Sequence, residues 1–65
     1  MVKLKTLIVD DEAELRKSVA SILKNTPLQI DFEIEESENG MDAIRKVKAQ
    51  TYDLILMDVR MPELN

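Results

Sequence analysis

Two short stretches hold the residues whose types and spacing can do chemistry. Asp10, Asp11 and Glu12 follow directly on the apolar run Leu7-Ile8-Val9, and Asp58 ends a second apolar run, Leu54-Ile55-Leu56-Met57. Carboxylates at the end of a buried strand repel one another and resist desolvation, so each should be paired, cap a helix or hold a cation. Taken singly, an aspartate pair after a strand is most often a helix N-cap and a turn residue. Taken together, Asp10, Asp11 and Asp58 can converge in one crevice, where a hard divalent cation would relieve their repulsion. Mg²⁺ suits a site of a few carboxylates, a carbonyl and retained waters. The chemistry that needs this arrangement is phosphoryl transfer to a carboxylate. Asp58 is then the nucleophile and carries an acyl phosphate, while Asp10 and Asp11 hold the metal directly or through water.

The elements that must position these groups are legible from periodicity. Leu4 to Val9 is too short for a helix and rich enough in Ile and Val for a buried strand. From Glu12 to Asn25 the period is helical: Leu15, Val19, Ile22 and Leu23 share a face, read as core. Glu12 and Arg16 are spaced as an i,i+4 ion pair, and Asn25-Thr26-Pro27 ends the helix. Ile30 to Glu35 alternates strictly, which predicts an edge strand whose Asp31, Glu33 and Glu35 form a solvated face. The turn Ser37-Glu38-Asn39-Gly40 offers Asn39 as an N-cap, with Asp42 in the first turn. A second helix follows to about Gln50, with Met41, Ala43, Ile44 and Val47 apolar and Arg45, Lys46 and Lys48 solvated. Leu54 to Met57 is a third strand, and Met57 and Met61 read as packing residues.

The order β-α-β-α-β with short links implies right-handed crossovers and a parallel sheet, hence an α/β fold. In such a sheet functional groups gather beyond the carboxyl ends of the strands, where strand order reverses. If the first strand lies between the other two, Asp10, Asp11 and Asp58 would meet at that point.

Composition narrows the classes further. The chain has 65 residues, no cysteine and no histidine, which excludes disulfides and argues against zinc. With a net charge of −4 and only Phe32 and Tyr52 as aromatics, it lacks the basic stripe and stacking rings of a nucleic-acid binder. No stretch approaches a membrane span and no apolar signal region follows the start, so the expectation is a soluble, cytoplasmic protein.

The segments Ile8-Val9-Asp10-Asp11-Glu12, Ser37 to Ile44 and Tyr52 to Pro62 resemble the receiver domains of two-component response regulators. The resemblance runs from about Leu4 to Asn65. It implies a flavodoxin-like fold of sheet order 2-1-3, with residues 1–65 a partial receiver of three strands and two helices. It also implies Asp58 as phosphoacceptor, Asp10 and Asp11 as the acidic metal pair, and the backbone carbonyl of Arg60 completing a Mg²⁺ site. Met61-Pro62 matches the turn leaving the third strand. The implied partner is a sensor histidine kinase or phosphotransfer protein, met near Glu14 and Lys17, and the implied role is a signalling module, not an enzyme. A complete receiver has five strands and five helices. The hydroxyl residue ending strand four and the lysine ending strand five have no counterpart here.

Two further readings compete. One is a half-domain acting only as a structural unit, self-associating as a homo-oligomer through the exposed edge of the third strand. The other, an aspartate-nucleophile phosphohydrolase of the haloacid dehalogenase type, needs a carboxylate two residues after the nucleophile. Arg60 stands there instead.

Overall fold

A computed structural model of the chain describes residues 2–58. They form β1 (Val2–Val9), α1 (Ala13–Asn25), β2 (Ile30–Ser37), α2 (Gly40–Ala49) and β3 (Leu54–Met57). The three strands pair in parallel, as the alternating elements predict, and in the order β2-β1-β3 that the resemblance to receivers implies. Arg60, Met61 and Pro62 lie outside the described residues.

β1 is the spine. Its register runs from Val2 opposite Ile30 to Val9 opposite Ser37 on one side, and from Thr6 opposite Leu54 to Val9 opposite Met57 on the other. Paired on both edges, its carboxyl half Thr6-Leu7-Ile8-Val9 is wholly buried. The Thr6 hydroxyl there donates to the Leu4 carbonyl at 3.2 Å, so no bare polar atom is left in the core. Alternation sends Leu7 and Val9 to the face covered by Ala43 of α2, with Tyr52 packed alongside. Ile8 turns to the opposite face, where it shares a cleft with Val19 of α1 and Leu56 of β3.

Element boundaries follow from pairing and caps. β1 begins at Val2, not Leu4, because the Val2 amide already donates to the Gln29 carbonyl at 3.2 Å. β2 continues past Glu35 to Ser37 because Ser37 still has Val9 beside it. Glu12 has extended backbone angles (φ −101°, ψ 112°), so α1 starts at Ala13. Thr26, held extended before Pro27, ends that helix, and its hydroxyl takes the Ile22 carbonyl at 2.6 Å. Asn39 caps α2 as expected, its Oδ1 accepting from the Asp42 amide at 2.8 Å.

The helix faces differ from expectation. No residue of α1 is buried, and Leu15 and Ile22 are 39% and 67% exposed. On α2 only Gly40 and Ala43 are buried, while Met41, Ile44 and Val47 are exposed. Met57 is likewise exposed rather than packed. The reason is geometric: three strands offer each helix a narrow surface, so α1 is covered nowhere fully and α2 only at Gly40 and Ala43. No described helix is long and apolar enough to cross a membrane.

Stability should therefore depend on β1 and hardly on the helix stripes. Leu7→Ala is expected to destabilise by about 2–5 kcal/mol, and Ile22→Ser to stay within about 0.5 kcal/mol of the parent. Urea midpoints at constant m-value check both.

Candidate functional site

Both sheet ladders run one hydrogen bond beyond the end of β1, and these bonds build the site. The Asp10 amide donates to the Ser37 carbonyl at 3.0 Å, and the Asp58 amide donates to the Val9 carbonyl at 3.0 Å. Asp10 and Asp58 therefore leave adjacent strands at the same level. They flank one cleft of about 410 Å³, whose other lining includes Ile8, Val19 and Leu56. Of the three aspartates expected to meet at the carboxyl end of the sheet, the cleft brings together Asp10 and Asp58; Asp11 is not part of its lining, and Asp58 is not part of the carboxylate group that gathers around Asp10.

Asp10 also starts the turn into α1. Its Oδ1 accepts the Glu12 amide at 2.8 Å, the local bond by which aspartate closes a tight turn. That turn draws residue 12 back, and one carboxylate oxygen from each of Asp10, Asp11 and Glu12 lies within 4.8 Å of the others. Asp10 is half-buried in this group and the other two are exposed. An all-oxygen donor set is the chemistry of a hard cation such as Mg²⁺, in contrast to a thiolate- or imidazole-loving metal.

Glu12 is the member that periodicity misassigned. Its expected ion pair with Arg16 does not form: Arg16 Nε is 2.9 Å from Glu36 Oε1, and Arg16 Nη1 donates to the Asp10 carbonyl at 2.6 Å. The i,i+4 spacing loses because Glu12 stands outside the helix as its cap. The unbroken acidic triplet at a strand end was the available signal.

Basic side chains neutralise the acidic groups beside the site. Glu36 accepts from Arg16 and has Lys17 Nζ at 3.5 Å. The Arg16 hydrogen bond, reinforced by the nearby positive charges, holds the Glu36 carboxyl below the ordinary range in spite of its partial burial. Asp42 is lowered likewise, first by the Ser37 hydroxyl, which donates to it at 2.7 Å, and then by Lys46 and Arg45. Lys46 is 3.4 Å from Asp42 and also donates to the Glu36 carbonyl, so it is not the solvated residue its position suggested.

Glu35 departs from the expected solvated face as well. Tyr52 donates its hydroxyl to Glu35 at 2.7 Å, and Gln50 Nε2 reaches the same carboxylate at 3.1 Å. The tyrosine hydrogen bond lowers the Glu35 pKa, with Lys5 assisting from 3.8 Å. Partial burial and that carboxylate raise the Tyr52 hydroxyl above its ordinary value of 10.0. This cluster ties the link between α2 and β3 to the sheet.

A family model described as the response regulator receiver domain matches residues 6–65. The chain belongs to that family. A receiver of two-component signalling accounts for the sheet order and the acidic carboxyl end together. The chain is 38% identical over 62 residues to a chemotaxis protein CheY of Listeria monocytogenes, covering 95% of this chain and 50% of that protein. It is 43% identical over 58 residues to the transcriptional regulatory protein ResD of Bacillus subtilis, covering 89% of this chain and 22% of that one. A protein-glutamate methylesterase/protein-glutamine glutaminase of Vibrio cholerae is 39% identical over 62 residues, 95% of this chain and 16% of its own length. The chain thus spans about half the length of the CheY relatives and less of the others. No solved structure gives a significant match.

The Glu36 contact of this receiver has a pH signature. Its folded pKa lies below the unfolded value of 4.5, so the stabilisation is present above about pH 4.5 and is lost as pH falls through the folded value. Glu36→Gln is expected to lower the denaturation midpoint at pH 7, with the difference from the parent shrinking as pH drops below 4.5. Parallel urea titrations across that window check it.

Proposed function

We propose that the chain serves as the phosphoacceptor of a two-component phosphorelay, taking a phosphoryl group on Asp58 from a sensor histidine kinase or a phosphotransfer protein. The observation that carries this reading is the Asp58–Val9 backbone bond of 3.0 Å, which sets Asp58 across from Asp10 in one cleft. An Asp58 carboxylate oxygen attacks the phosphorus of a phosphohistidine. The new P–O bond forms as the P–N bond breaks, and the departing imidazole takes up a proton from water.

Asp10 and Asp11 would hold Mg²⁺, with Asp58 and the Arg60 carbonyl completing the set. When bound, Mg²⁺ supplies positive charge against the phosphoryl oxygens. The chain's own share is to orient Asp58 and to keep an apolar floor of Ile8, Val19 and Leu56 beneath it. The role is that of a cytoplasmic signalling module without turnover of its own and without direct nucleic-acid contact.

Incubation with acetyl phosphate and Mg²⁺, followed by borohydride trapping and peptide mapping, is expected to label Asp58. Label on Asp10 or Asp11 would overturn the assignment. No label at all would favour the structural reading below.

A second reading is supported by the flank of β3. Among the described residues β3 pairs with β1 alone, and Ile55 and Met57 are 42% and 44% exposed beside the half-exposed Ile44 and Val47 of α2. By itself the 65-residue chain would then associate through this edge as a symmetric homodimer, pairing backbone groups and covering apolar surface together. Sedimentation over a dilution series, with circular dichroism alongside, is expected to show folded dimer giving way to unfolded monomer. A folded monomer at micromolar concentration would sink this reading.

A further inference from the structure

The peptide groups of Asp10 are gripped from both sides. Its amide goes to Ser37 of β2, continuing the ladder. Its carbonyl oxygen lies beyond both the β1–β3 ladder and the first turn of α1, and it is taken by Arg16 Nη1 at 2.6 Å. Arg16 is itself fixed, since Nε donates to Glu36 Oε1 at 2.9 Å and its side chain is only 15% exposed. One planar guanidinium carried by α1 thus ties the end of β1 to the end of β2.

We infer that Arg16 is a positioning residue for the acidic cation site: through the Asp10 carbonyl it sets the backbone of the turn that brings the Asp10, Asp11 and Glu12 carboxylates together. The consequence for the cation rests on the reading under Proposed function; the consequence for the turn does not. Lysine cannot replace this group, because a single ammonium on a flexible stem lacks the rigid fork that meets two acceptors at once. The sign of the effect separates positioning from simple charge. A positive group near a cation site repels the cation, so electrostatics alone makes removal of Arg16 tighten binding. Positioning makes removal weaken it, as loss of groups that orient metal ligands does.

The test compares Arg16→Met, Arg16→Lys and Lys17→Met in the full chain by two measurements. Lys17 also touches Glu36, at 3.5 Å, yet it makes no hydrogen bond to Asp10, so it controls for the charge lost beside Glu36. In calorimetric Mg²⁺ titration, Arg16→Met is expected to bind about tenfold more weakly. Arg16→Lys should shift in the same direction, and Lys17→Met should stay near the parent. Unchanged or tighter binding in Arg16→Met would overturn the inference. The second measurement is hydrogen exchange without added cation, at the Glu12 amide, whose partner is Asp10 Oδ1. That amide should exchange faster in both Arg16 variants while those of Leu7 and Ile8 keep their protection. Unaltered exchange at Glu12 would also overturn the inference. If the parent ignores Mg²⁺, it is the cation reading that fails, and Glu12 exchange alone decides the role of Arg16. Should Arg16→Met lose its helical signal, Arg16→Lys decides by the same two measures.

Discussion

The pairing of β1 on both of its edges is the constraint from which the acidic end takes its geometry. β1 is flanked by β2 along its whole length and by β3 over Thr6 to Val9, and that doubly paired half is wholly buried. Each ladder then adds one bond past the strand, Asp10 to Ser37 and Asp58 to Val9. Those two bonds set the level and spacing of Asp10 and Asp58 before any side-chain interaction acts. The backbones that carry the two candidate carboxylates are thus extensions of the sheet.

Electrostatics then sets two groups of acidic residues apart. Glu35, Glu36 and Asp42 each sit against designated donors, and each has its pKa lowered by them. Their negative charge is matched locally by Lys5, Arg16, Lys17, Arg45 and Lys46. The described ion pairs spare the Asp10-Asp11-Glu12 turn, and the basic side chain that approaches it, Arg16, addresses a carbonyl and not a carboxylate. The three adjacent carboxylates of that turn are thus left as a local concentration of negative charge in a chain whose net charge is −4.

Much of this was legible in the residues. Apolar runs ending in aspartate, strict alternation through Ile30–Glu35, and the Asn39 cap all translate local rules into the observed elements. Parallel pairing followed from the alternation of strands and helices, while the order of the strands came from the resemblance to receivers. What was not legible depends on the third dimension. Glu12–Arg16 satisfies a helix-surface spacing rule, yet Glu12 is a cap and Arg16 finds Glu36, twenty positions away, through the sheet register. Glu35 and Lys46 looked solvated because periodicity sorts residues into faces without saying what packs across them. The link from α2 to β3 brings Tyr52 and Gln50 over Glu35, a tertiary contact no spacing encodes. The helix stripes failed for a related reason: amphipathicity states which side seeks cover, not how much cover three strands supply.

That last mismatch separates the molecule's site from its flanks. Leu15, Ile22, Met41, Ile44 and Val47 are apolar and exposed, and the side-chain bonds that anchor the helices lie elsewhere, from Arg16 to Asp10 and Glu36 on α1 and from Ser37 and Asn39 to Asp42 on α2. The carboxylate geometry takes little from those faces, since it hangs on two backbone bonds and one guanidinium. Substitutions along the outer stripes should then alter association and solubility while leaving Asp10 and Asp58 in register. Substitutions at Leu7, Val9 or Arg16 should disturb the acidic end even though none of the three carries its charge. The carboxyl end of the sheet thus draws its stability and the placement of its carboxylates from the same backbone contacts.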